Sequence, residues 1–115
     1  MHTDLPLSPI AADVSVAPQL SPAAMAELAR LGFRSVINNR PDFEGGADQP
    51  TSAAMAAAAE AAGLEYRHLP VAGGYQSDGE IAAFGQLMAT LPRPVLCFCR
   101  SGARSTRLFQ ASGAR

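Results

Sequence analysis

The chain of 115 residues has no lysine, only two cysteines and two histidines, and five phenylalanines and two tyrosines as its aromatics. Without lysine, any anion site must be built from arginine or from backbone N–H groups. The formal net charge of −1 gives no electrostatic footprint for nucleic acid or an anionic membrane. Cys97 and Cys99 are one residue apart, too close for an unstrained disulfide and unlike a secreted disulfide framework. Two histidines and two cysteines without ligand spacing predict no metal site, and no cofactor motif is visible. The longest apolar run, Ala53 to Ala62, is interrupted by Glu60 and is too short to span a bilayer. No charged start leads into an apolar stretch, so no signal peptide is expected. These absences predict a soluble protein in a reducing compartment, the cytoplasm.

The remaining sequence alternates strand and helix signals over a single domain, 1–115, whose first dozen residues read as an extended arm containing Pro6 and Pro9. Asp13 to Ala17 is a strand candidate. Ser21-Pro22 opens a helix carrying Met25, Leu28, Ala29 and Leu31, which Gly32 ends. Phe33 to Asn38 reads as a second strand, followed by the polar loop Arg40-Pro41-Asp42-Phe43-Glu44-Gly45-Gly46. Thr51 or Ser52 caps an alanine-rich helix that stops at Gly63. Glu65 to Val71 is a third strand, and a glycine turn follows at Gly73-Gly74. Ser77 and Glu80 have the spacing of a capping box before a helix from Ile81 to Leu91. Val95-Leu96-Cys97-Phe98 is wholly apolar, as a strand buried on both faces should be. The loop Cys99 to Arg104 leads into a last helix near Ser105. The pattern predicts an α/β fold in three layers, with a four-stranded, mostly parallel sheet. Sites in such folds lie beyond the C-terminal ends of the strands, where Arg40, Gly73-Gly74 and Cys99 all fall.

A buried strand feeding a short loop and then a helix makes a cradle for anions, because the first helical N–H groups have no intrahelical partners. A thiol opening that loop should be held as thiolate by those donors and by the charge of Arg104. Cys99 is therefore the candidate nucleophile, with Arg104 as its partner. Arg100, Ser101, Gly102, Ala103 and Ser105 supply the anion-binding loop. Ser105 and Thr106 can donate hydroxyl hydrogen bonds or cap the helix, and Arg100 should point outward, towards the substrate's entry. Cys97, inside the strand, reads as a small buried residue. His68 reads as a satisfied strand histidine rather than a base.

The segment Cys99-Arg100-Ser101-Gly102-Ala103-Arg104-Ser105 resembles the active loop of rhodanese-type sulfurtransferases, which carry Cys-Arg-x-Gly-x-Arg. The rest of the chain, with Val36-Ile37-Asn38-Asn39-Arg40-Pro41-Asp42 and Tyr66-Arg67-His68-Leu69-Pro70-Val71, resembles the phosphatase-like domain of β-lactamase-hydrolase-like proteins. That resemblance implies a cysteine-phosphatase-like fold. Phosphatases of this fold carry Cys-x5-Arg, whereas Arg104 closes a Cys-x4-Arg loop. Their general acid is an aspartate in the loop after the third strand, where this chain has glycine. Asp78 falls in the first turn of a helix, where an acid is favoured for other reasons. Asp42, at the same sheet edge, is the substitute acid to consider, and Arg40 could add charge to the site.

Three functions are consistent with this pattern. The leading expectation is a sulfurtransferase in which Cys99 carries sulfane sulfur as a persulfide between small anionic or thiol substrates. The alternative is a phosphatase with a phosphocysteine intermediate. The third is a weakly active anion-binding module beside, or fused to, a sulfide-metabolising enzyme. None of the three calls for nucleic acid or a membrane as partner.

Overall fold

The computed structural model describes residues 3–115. Its sheet has five strands: β1 (Ser8–Ala11), β2 (Val14–Ala17), β3 (Ser35–Asn38), β4 (Glu65–His68) and β5 (Val95–Phe98). Four helices join them: α1 (Ala24–Arg30), α2 (Ser52–Ala61), α3 (Asp78–Thr90) and α4 (Ala103–Ser112). The strand order is β1-β2-β5-β3-β4, and every neighbouring pair is parallel except β1 with β2.

The sheet has one strand more than expected. Ser8–Ala11, taken for part of an arm, folds back as a hairpin on β2, with an irregular register between Pro9 and Ala11. Pro9 hides this strand in the sequence because it cannot complete a ladder. An edge strand tolerates it, since one side of the edge needs no partner.

The wholly apolar stretch sits at the centre, as its composition predicts. β5 lies between β2 and β3, with Cys97 level with Val16 on one side and Ile37 on the other. Alternation along the strands divides the core into two layers. Val14, Val16, Ile37, Val95 and Cys97 face Phe84 and Met88 of α3 and Leu108 of α4. Val36, Leu96 and Phe98 face Met25 and Leu28 of α1 and Met55 of α2. Phe84, Phe98, Leu96 and Ile37 are fully buried, so truncating any of them to alanine would cost on the order of 2–5 kcal/mol.

The cap signals are met at two of three helices. Thr51 Oγ1 accepts from the Ala54 N–H at 3.2 Å. The capping box is complete: the Glu80 N–H donates to Ser77 Oγ (3.1 Å), and the Ser77 N–H donates to Glu80 Oε1 (2.9 Å). At α1, Ser21-Pro22 instead makes a turn through its carbonyls, and the helix starts at Ala24 without a side-chain cap. No helix among the described residues is long and apolar enough to cross a membrane.

Candidate active site

The C-terminal ends of β2, β3, β4 and β5 place Ala17, Asn38, His68 and Phe98 along one edge of the sheet, and Cys99 follows β5 directly. The loop is tied down on its β2 side. Its Cys99 N–H donates to Ala17 O (3.4 Å), and the Gln19 N–H donates to Arg100 O (3.3 Å). Helix α4 starts earlier than expected, at Ala103, so Arg104 and Ser105 belong to its first turn. Gly102 makes this possible. Its φ of 95° is left-handed, and a Cβ there would lie 3.5 Å from the backbone of Ala17. Ser101 Oγ accepts the Ala103 N–H at 3.3 Å and completes the start of the helix.

The sharp turn aims donors at the sulfur. The Gly102 N–H donates to Cys99 Sγ at 3.0 Å. Burial pushes the Cys99 thiol up. The backbone N–H groups of Ser105, Ser101 and Gly102 and the Ser105 hydroxyl outweigh it and hold the thiol below its ordinary value. The Ser105 hydroxyl has one proton and a second claimant. Asn39 Nδ2 donates to Leu69 O (3.1 Å), which turns Asn39 Oδ1 towards Ser105 Oγ at 2.9 Å. In the structure Ser105 Oγ donates to Asn39, so the backbone amides are the main donors that hold the Cys99 thiol low. Cys97 is the opposite case. Burial, then the neighbouring Cys99, pushes its thiol up to about 12.

The end of the Arg104 guanidinium is held by the chain itself. Its Nη1 donates to Glu44 Oε2 (3.1 Å) and Val71 O (2.9 Å), and its Nη2 to Glu44 Oε1 (3.0 Å). Glu44 thus takes the end of the guanidinium as a fork. The Nε–H and the second proton of Nη2 have no partner in the chain among the described residues. These two donors form the other bidentate edge of the side chain, which the chain leaves unpaired although Arg104 is buried. Gly73 lies against the same nitrogens: a Cβ on it would meet Nη2 at 3.1 Å and Nε at 3.8 Å.

Arg40 is buried rather than on the surface, and it serves the same carboxylate. Its Nε donates to Glu44 Oε1 at 3.0 Å, and its Nη1 to Gln19 Oε1 at 3.2 Å. The Arg104 fork chiefly, and Arg40 beside it, hold the Glu44 carboxyl below the usual range against the opposing effect of burial. Glu44 is therefore ionised at neutral pH and suited to positioning two arginines, not to donating a proton. Asp42 is already engaged elsewhere. Its Oδ1 accepts the Ser52 N–H at 2.7 Å, at the start of α2. His68 Nε2 meets Arg40 O at 2.8 Å, a backbone partner of the kind expected for a structural histidine. Arg100 is exposed at the rim.

The sequence reading passed over Glu44, Asn39 and Gln19. Glu44 sat in a polar loop where any acid looks solvated, and only the fold reveals that Arg104, sixty residues later, reaches it. Asn39 had a usable signal, a polar residue directly following an apolar strand. A cavity of about 380 Å³ lies at the opposite edge of the sheet, lined by residues including Phe33, Arg34, Leu64 and Pro92, and holds no nucleophile.

Comparison with known proteins agrees with this architecture. The family described as beta-lactamase hydrolase-like protein, phosphatase-like domain, matches residues 6–115. A beta-lactamase hydrolase-like protein of Xylella fastidiosa is 44% identical over 84 residues, which are 73% of this chain and 19% of that protein. Its counterpart from Agrobacterium fabrum is 38% identical over 96 residues, covering 84% of this chain and 22% of its own length. The chain thus spans about a fifth of the length of these relatives. A crystal structure of a phosphatase candidate from Neisseria meningitidis superposes with a TM-score of 0.84 at 31% identity, covering 92% of this chain and 75% of that one.

Proposed function

The chain belongs to the family of phosphatase-like domains of beta-lactamase hydrolase-like proteins, and from that premise we propose that it is a cysteine-dependent phosphohydrolase. The observation that carries this reading is a Cys99 sulfur held by the Gly102 amide at the start of the helix whose first turn carries Arg104, an arginine with an Nε/Nη2 edge that the chain leaves unpaired. The thiolate attacks phosphorus. The bond from phosphorus to the leaving oxygen breaks, and that oxygen departs with the electron pair. Arg104 and the loop N–H groups receive the charge that spreads over the remaining phosphoryl oxygens. Water then attacks the phosphocysteine, releases inorganic phosphate and restores the thiolate.

Sulfur transfer, the leading expectation from sequence, becomes the second reading. The Cys-x4-Arg spacing favours it, because a single sulfur atom needs less room in the loop than a phosphoryl group. In that reaction the Cys99 thiolate attacks the outer sulfur of a donor such as thiosulfate, expels sulfite and holds a persulfide, which an acceptor thiol removes.

A paired assay decides between them. Purified protein is given an activated aryl phosphate in one arm and thiosulfate in the other. Phosphate release that vanishes in Cys99→Ser, with no +32 Da adduct by intact mass (one sulfur atom), supports hydrolysis. A persulfide on Cys99 without phosphate turnover overturns it in favour of sulfur transfer.

A further inference from the structure

Phe43 and Tyr75 are the two large hydrophobic residues left exposed among the described residues, at 67% and 72%. They are far apart in sequence, yet their loops converge on one nitrogen. Glu44, next to Phe43, accepts from Arg104 Nη2 at 3.0 Å. Gly73, two residues before Tyr75, packs against the same Nη2, so closely that a Cβ would meet it at 3.1 Å. The Tyr75 loop is pinned on both sides to α4: Arg107 Nη2 donates to Gly73 O (2.9 Å) and Gln76 Nε2 to Arg104 O (3.2 Å). Tyr75 is therefore held exposed on a braced loop.

Phe43 shows a second sign of constraint. With a φ of 63° it is the one non-glycine residue among those described to adopt left-handed backbone. A phenylalanine gains nothing from that conformation, and its ring buries little surface in return. The neighbouring Glu44 explains why the loop turns there. It does not explain an aromatic side chain at the turn.

We propose that Phe43 and Tyr75 form the walls of a subsite for a planar apolar ring carried by the anionic substrate, so that the site selects aryl esters over small anions. The inference deepens the phosphohydrolase reading and rests on its anion site. A small anion reaches only the loop amides and Arg104, so it offers few apolar contacts. A ring between two aromatic faces adds apolar burial and favourable ring contacts next to the reacting centre.

The test uses two non-hydrolysable anions, phenylphosphonate and methylphosphonate, with binding read by calorimetry so that no turnover is needed. Wild-type protein should bind the phenyl compound about tenfold more tightly, the preference expected from burying part of one ring. Phe43→Asn, which tolerates left-handed backbone, and Tyr75→Ser should each erase most of that preference while leaving methylphosphonate affinity unchanged. Tyr75→Phe should retain it. Equal binding of the two anions by wild type, or a preference untouched by either ring-removing variant, overturns the subsite alone. Binding of neither anion overturns the phosphate reading of the site, and the subsite with it.

Discussion

Two thiols on one strand end differ because one points into the core and the other opens a loop. Cys97 is fully buried and pushed up to about 12, while Cys99 is held low by backbone donors. An alkylating reagent at about pH 6.5, roughly two units below a free cysteine's ordinary value, should therefore label Cys99 far faster than Cys97. Peptide mapping after short exposure reads the ratio, and equal labelling would refute the assignment. Arg104 makes a sharper case. Its end edge is committed to Glu44 while its side edge is left unpaired by the chain, a division only a planar five-donor group can sustain. Arg104→Lys should fold yet lose about a hundredfold in kcat/KM, on the order of 3 kcal/mol. Near wild-type turnover would place Arg104 outside the site. At this scale the sequence pointed to Cys99 and Arg104 as candidates, because both follow a recognisable strand, and the structure sets them at the two ends of the turn into α4. It concealed Glu44, whose role depends on a contact across sixty residues, and it gave no sign that Asp42 accepts the Ser52 N–H at the start of α2.

Helix α4 and the loop before it act as one piece, since Gly102 turns the chain while presenting its amide to the sulfur. Gly102→Ala would force a Cβ onto left-handed backbone, at a cost of roughly 1 kcal/mol. The larger consequence should be chemical: once the amide shifts, the Cys99 pKa rises and the pH profile of alkylation moves upward with it. An unchanged profile would show that the turn does not hold the thiolate. The loop carrying Glu44 is tied to α4 by the same charges. A carboxyl held low in the folded state contributes stability above its unfolded value of about 4.3, and that contribution disappears as pH falls through the folded value. Glu44→Gln should thus melt below wild type at neutral pH, and the difference should close in acid; a constant difference across pH would contradict the ion pair. The helices, and the strands before them, were legible from caps, glycines and apolar runs. The edge strand β1 was not, because Pro9 breaks the strand signal and nothing local announces that residues 8–11 return to pair with β2.

At the edge of the sheet that carries Cys99, two arginines, Arg104 and Arg40, share one carboxylate, and the nearby acids among the described residues are held in other contacts. Glu44 is held ionised between Arg104 and Arg40, Asp42 caps α2, and Glu80 closes the capping box of α3. The glycine turn at Gly73-Gly74 stands where the resemblance places an aspartate, and Gly73 is needed small because Arg104 packs against it. That part of the layout could be read from sequence as a missing acid, although the reason for the glycine could not. The consequence falls on the leaving group. An alkoxide expelled without a proton is a poor leaving group, and general acid catalysis is worth about 10²–10⁴-fold where it exists. A phenolate or a carboxylate needs far less help. Turnover across a series of substituted phenyl phosphates should therefore rise steeply as the phenol becomes more acidic, and phosphoserine peptides should react slowly. A flat dependence on leaving-group acidity would mean that some group protonates the departing oxygen. Glu44→Gln and Asp42→Asn, measured across the same series, would then identify it, because only the variant lacking the acid should turn the flat dependence steep.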